Sequence, residues 1–109
     1  MERKVKFAER EYYHLFSRGV EKRKIFLGKT DYERFLALLY ILNQEDHFHV
    51  SNFLNKGQKN ILDIYAQRRS KPLVSIQAYS LMPNHFHLVV QEITDNGISS
   101  FMMKVLTAY

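Results

Sequence analysis

The chain contains no cysteine. That removes disulfide frameworks, thiolate zinc sites and cysteine nucleophiles together, and it is compatible with a reducing, cytoplasmic setting. No apolar run approaches the roughly 20 residues a membrane-spanning helix needs. The start, Met1-Glu2-Arg3-Lys4, lacks the apolar core of a signal peptide, so no membrane partner is expected. Internal repeats and low-complexity tracts are absent as well. What remains is globular in composition, with 46% hydrophobic and 25% charged residues over 109 positions. That is enough for one domain, residues 1–109, and too little for two.

Sixteen basic against eleven acidic side chains leave a net charge of +5, unevenly spread. Residues 1–24 hold eight basic and four acidic side chains, and residues 56–71 hold five and one. The other two stretches are slightly acidic. Two basic blocks suit a phosphate-bearing partner, although a solvated surface that keeps the chain in solution would look the same.

Residues 12–17 are aromatic-rich and strand-like, and they end at Arg18-Gly19. A basic turn, Glu21-Lys22-Arg23-Lys24, follows. Thr30 and Glu33 form a capping-box pattern ahead of a helix expected over about 31–43, with Tyr32, Phe35, Leu36, Leu39 and Leu42 as its apolar stripe. Gly28-Lys29-Thr30 is no phosphate-binding loop, because the first glycine of that motif would fall at Arg23. Residues 45–71 are a polar insertion in which Ile61, Leu62, Ile64 and Tyr65 suit one short helix. Beyond Pro72, residues 73–81 read as a strand with Val74, Ile76 and Ala78 on one face. Met82-Pro83-Asn84 is a turn, and residues 85–91 are a second strand, making an antiparallel hairpin. Ile98, Phe101, Met102, Val105 and Leu106 then recur at helical spacing. The order strand, helix, strand, strand, helix predicts an α+β fold, a split βαββαβ sandwich with an antiparallel sheet that lacks its last strand and C-terminal helix.

Alternate residues of a strand share a face, so His85 and His87 point the same way, about 7 Å apart along the backbone. Phe86, Leu88 and Val90 point the other way, into the core. Two imidazoles so placed can converge on one ion with ring nitrogens near about 2 Å from it. A His-x-His pair is also common as two ordinary half-exposed histidines, and His47-Phe48-His49 supplies a control within this chain. That copy lies in the polar insertion behind Glu45 and Asp46, and His47 and His49 read as surface residues. His14, on the first strand, reads as structural but near the site.

The block Tyr79-Ser80-Leu81-Met82-Pro83-Asn84-His85-Phe86-His87-Leu88-Val89-Val90 closely resembles the signature of the REP-associated tyrosine transposases, relatives of the single-tyrosine insertion-sequence transposases. Ser17-Arg18-Gly19, Asp31-Tyr32-Glu33-Arg34-Phe35 and Gly97-Ile98-Ser99-Ser100-Phe101-Met102 resemble other segments of that family. The resemblance runs over most of the chain except residues 45–71. It implies a ferredoxin-like fold in which His85 and His87 are the histidine–hydrophobe–histidine ligands of Mg2+ or Mn2+. The ion polarises the scissile phosphate, and a helix-borne tyrosine attacks it to form a 5′-phosphotyrosine on single-stranded, hairpin-forming DNA. Arg18, Lys22, Arg23 and Lys24 are the candidates for contacts to the DNA backbone.

The same resemblance places the nucleophile beyond Tyr109, so no catalytic tyrosine is expected among these residues. Tyr12, Tyr13, Tyr32, Tyr40, Tyr65 and Tyr79 read as core or strand aromatics. Strand transfer by the chain alone is therefore not expected. A fragment of a longer transposase is the preferred reading over a degenerate remnant or a site completed by a second chain in a homodimer. Two other functions compete: a non-catalytic binding module for structured DNA or RNA, and a small metal-binding protein unrelated to nucleic acid. Metal dependence separates the first from the transposase, and insensitivity to salt would mark the second.

Overall fold

A computed structural model describes residues 11–18, 23–57 and 59–109. Three strands, β1 (Tyr12–Arg18), β2 (Val74–Met82) and β3 (His85–Glu92), form one antiparallel sheet in the order β1-β3-β2. The helices are α1 (Lys29–Ile41), α2 (Val50–Asn55) and α3 (Gly97–Ala108), with a 3-10 helix at Ile61–Ala66 between α2 and β2. The class is mixed α+β, as the element order predicts. Among the described residues no helix is long and apolar enough to cross a membrane.

One face of the sheet carries the core. Phe86, Leu88 and Val90 of β3 are buried against Phe35, Leu38 and Ile41 of α1 and against Ile98, Phe101 and Val105 of α3. The strict alternation along β3, half-buried then buried at every step, shows a strand with a helix-covered side and an open side. Phe35 and Phe86 touch ring to ring at 4.8 Å, which pins α1 to the middle strand. Gly97 opens α3 where a Cβ would lie 2.2 Å from the Leu73 carbonyl oxygen, so only glycine lets the helix start this close to β2.

Three expectations are corrected. The helix cap is not a Thr30–Glu33 box: α1 starts at Lys29 behind Gly28, and Asp31 accepts from the Leu27 amide at 2.8 Å. Starting two residues early puts Asp31, rather than Glu33, in reach of the preceding backbone, and Glu33 pairs with Lys29 at 3.7 Å instead. Ala78 does not share a face with Val74 and Ile76. A bulge between Ile76 and Ala78 leaves Gln77 unpaired and flips the phase, so Ile76 stands opposite Val90 on the core side while Ala78 stands opposite Val89 on the open side. The apolar stripe of α1 keeps Phe35, Leu39 and the following Leu42 buried as expected but adds the fully buried Ala37, Leu38 and Ile41, with Tyr32 and Leu36 at its margin.

The polar insertion is packed structure. It contains α2, which periodicity did not reveal, and the expected short helix, realised as the 3-10 turn with an Asn60–Asp63 capping box and Ile64 fully buried. Its anchor is Asn43. The buried Asn43 amide accepts from the Leu73 and Val74 amides at 3.0 and 2.9 Å and donates to the Val74 carbonyl at 2.8 Å. Gln44 does similar work, accepting from the Ser70 amide and donating to the Ile41 carbonyl. On the other side, the Lys104 ammonium donates to the carbonyls of Gln44 and Asp46 at 2.6 and 3.0 Å, closing the chain end that follows α1.

Candidate metal centre on the open sheet face

The pairing register decides which side chains share the open face. His85 and His87 of β3 stand there, with Met82 and Ser80 beside them on β2. On β1 the partners are Phe16, His14 and Tyr12, opposite His87, Val89 and Gln91, while the Arg18 backbone pairs with His85. No described helix covers this face. Tyr12 and Phe16 are 62% and 63% exposed, a large apolar surface to leave in water on a small domain.

The two histidines are close and held. Their ring centres lie 5.0 Å apart with the planes nearly perpendicular. The His85 Nδ1 lies 2.7 Å from the Asn84 side-chain oxygen. That oxygen can only accept, so Nδ1 carries the proton and the lone pair sits on Nε2. The His87 Nδ1 lies 2.7 Å from the His14 Nε2, with the two ring centres 4.8 Å apart. When His87 is the donor in that pair, its lone pair is also on Nε2, and both rings present the tautomer that binds a metal. Orientation of a ligating imidazole through its other nitrogen is the usual outer-shell arrangement around such ions.

Two imidazoles on a shared face fit a divalent transition ion such as Mn2+ better than Mg2+, which prefers oxygen. Among the described residues no group of three or more His, Cys, Asp and Glu side chains is arranged to hold an ion. His14 is engaged with His87, and the remaining ligands would be oxygens from water or a bound phosphate.

The basic candidates divide. Arg23 and Lys24 are exposed, and the next two residues tie them to the histidine hairpin. The Ile25 and Phe26 amides donate to the Pro83 carbonyl at 2.6 and 3.0 Å, in the turn that leads into His85. Arg18 pairs with His85 through its backbone. Lys22 and the Arg18 side chain lie outside the described part of the molecule. His47 and His49 are exposed, as expected, with their rings 4.3 Å apart.

Sequence reasoning left three features out. The His14–His87 contact joins residues 73 apart in the chain and exists only because of the β1–β3 register. Phe16 packs near the same rings, 5.7 Å from His14 and 6.1 Å from His87. The available signal was the alternation Tyr12, His14, Phe16, which places three rings on one face of one strand. Third, of the tyrosines expected as core or strand aromatics, Tyr12, Tyr13 and Tyr79 lie on strands and Tyr32 and Tyr40 pack against the core, but Tyr65 stands exposed on the 3-10 helix. Tyr109 donates its phenol to the Ile25 carbonyl at 3.0 Å, with its ring against Phe26 and Phe35. No family model, no curated protein and no solved structure matches this chain.

Proposed function

We propose that this chain carries the metal-binding and DNA-contacting part of a single-tyrosine transposase of the histidine–hydrophobe–histidine type, built on a ferredoxin-like framework. The observation that carries the reading is the pair His85 and His87 on an uncovered sheet face, each ring oriented through its Nδ1. A divalent ion bound there would polarise a scissile phosphate and stabilise charge on the leaving oxygen. His85 and His87 would supply nitrogens to it; Asn84 sets the His85 tautomer, and His14 holds the His87 ring. Phe16 and Tyr12 offer rings on which unpaired bases can stack, which suits single-stranded DNA without requiring a particular sequence. Arg23 and Lys24, tied to the hairpin turn, meet phosphates. The attacking tyrosine is assigned to none of the described residues.

The test is titration calorimetry with Mn2+, followed by binding to hairpin-forming single-stranded DNA with and without chelator. Weak Mn2+ binding is expected, abolished in His85→Ala and His87→Ala. His14→Ala should weaken it about 10- to 100-fold, the usual effect of losing an outer-shell partner. Chelator should weaken DNA binding. A hairpin affinity indifferent to chelator and to His85→Ala would favour the metal-independent binding module instead.

A further inference from the structure

On the helix-covered side of the sheet, a second feature has no role in the metal face. Between α1, the 3-10 helix and the edge of β2 lies a cleft of about 340 Å³. Three tyrosines line it, Tyr40, Tyr65 and Tyr79, with Leu36 and Ile76 beneath them and Arg69 beside them. Tyr40 and Tyr65 meet at 5.2 Å between ring centres. The Arg69 guanidinium stacks 4.0 Å over the Tyr40 ring and donates to the Tyr40 carbonyl at 3.1 Å, so its plane is held rather than swinging in solvent. Tyr65 and Tyr79 are 45% and 57% exposed. Core aromatics would be covered, and rings kept this open on a cleft wall are contact surface.

The charge around the cleft favours one kind of occupant. Arg69 lines the cleft, and Arg68 and Lys71 lie within two residues of Arg69 in a stretch of five basic residues and a single acid. All three are exposed. Of the acids on the elements that form the cleft, Glu33 is engaged with Lys29 at 3.7 Å and Asp63 accepts from the Asn60 amide at 2.8 Å. Flat rings backed by a stacked guanidinium and flanked by cations match a group that is planar at one end and anionic at the other.

The cleft is also next to the histidine face. Tyr79 stands opposite Leu88 on the core side, while its neighbour Ser80 stands opposite His87 on the open side. β2 is an edge of the sheet among the described residues, so only that one strand separates the two surfaces.

We propose that the Tyr40–Tyr65–Tyr79 cleft is a second contact site for single-stranded DNA, in which an unpaired base stacks on Tyr65 and Tyr79 and its phosphate meets Arg69 and the adjoining Arg68 and Lys71. The strand would pass from the histidine face around the edge of β2 into the cleft. The idea rests on the proposed DNA-binding function for its ligand, and on its own geometry for the place.

The experiment uses the whole chain and short oligothymidylate in the presence of chelator, which removes any contribution of a metal at the histidine face. Ring resonances of Tyr65 and Tyr79 are expected to shift on titration. Tyr65→Ala and Tyr79→Ala should each weaken oligothymidylate binding about tenfold, since stacking on one ring is worth roughly that much. Tyr65→Phe and Tyr79→Phe, which keep the ring, should bind as the parent does and control for folding. Unchanged affinity in both alanine variants, or equal binding and equal shifts with polyglutamate, would overturn the proposal. The two readings separate cleanly. Metal-dependent hairpin binding that is blind to both tyrosines would sink the cleft and leave the histidine site standing. Ring shifts with oligothymidylate, in a protein whose hairpin binding ignores His85→Ala and chelator, would sustain the cleft and remove the metal reading.

Discussion

At the scale of single residues, environment decides what each ionisable ring can do. Tyr109 shows this best. Burial against Phe26 and Phe35, followed by the nearby Asp31 carboxylate, pushes its phenol from the ordinary 10.0 up to about 12, with Arg34 opposing in part. A phenol held neutral and donating to the Ile25 carbonyl is a poor nucleophile, so its place in the molecule is structural. The consequence for pH follows from the sign. A group whose folded pKa is raised stabilises the fold fully below its unfolded value, and that stability is lost as pH rises through the folded one. Unfolding free energy should therefore fall between about pH 10 and 12, and Tyr109→Phe should flatten that decline. Tyrosinate absorbance should show a late-titrating phenol that vanishes in the same variant. Tyr65 titrates late for a related reason, burial first and then the neighbouring Tyr79 and Glu33. His85 and His87 were legible as a pair because a two-residue period needs only a strand to act on. Their holding partners, Asn84 and His14, were not, because those contacts depend on side-chain position.

At the scale of elements, the hairpin and the two long helices follow from local pattern, while their joints do not. β2 and β3 read clearly because alternating residues met a turn at Pro83-Asn84. The bulge at Gln77 escaped notice, since one inserted residue shifts phase without changing composition. α2 escaped because six residues carry too little periodicity to stand out. Asn43 looks like any polar residue past a helix end, yet it is the clasp between α1 and β2. Asn43→Leu should cost roughly 1–3 kcal/mol, because it strips partners from the buried Leu73 and Val74 amides and the Val74 carbonyl. Thermal unfolding would measure the loss, and hydrogen exchange should show reduced protection at those two amides. Unaltered protection there would mean that the strand is held by its pairing to β3 alone.

At the scale of the whole molecule, the net charge of +5 is concentrated in two blocks of the sequence. Arg23 and Lys24 of one adjoin the histidine hairpin through the Ile25 and Phe26 bonds to Pro83, and Arg69 of the other lines the tyrosine cleft. Binding that neutralises phosphates must weaken as salt rises, with a slope proportional to the number of contacts. Lys24→Gln should weaken hairpin DNA uniformly across sequences and lower the magnitude of that slope by about one. Arg68→Gln should do the same for oligothymidylate. A slope unchanged by either substitution would remove these residues from the interface.

The chain's own pattern determined the α+β class, the order of its elements, the sidedness of β3 and the pairing of His85 with His87. All of these are local, set by side-chain period and turn chemistry within a few residues. Tertiary structure alone decided that His14 meets His87 across 73 residues, that the polar insertion folds back to complete a tyrosine-lined cleft, and that the segment after Arg23 and Lys24 is fastened to the histidine hairpin. Those arrangements arise from strand register and helix packing, which bring distant residues together according to how the whole core closes.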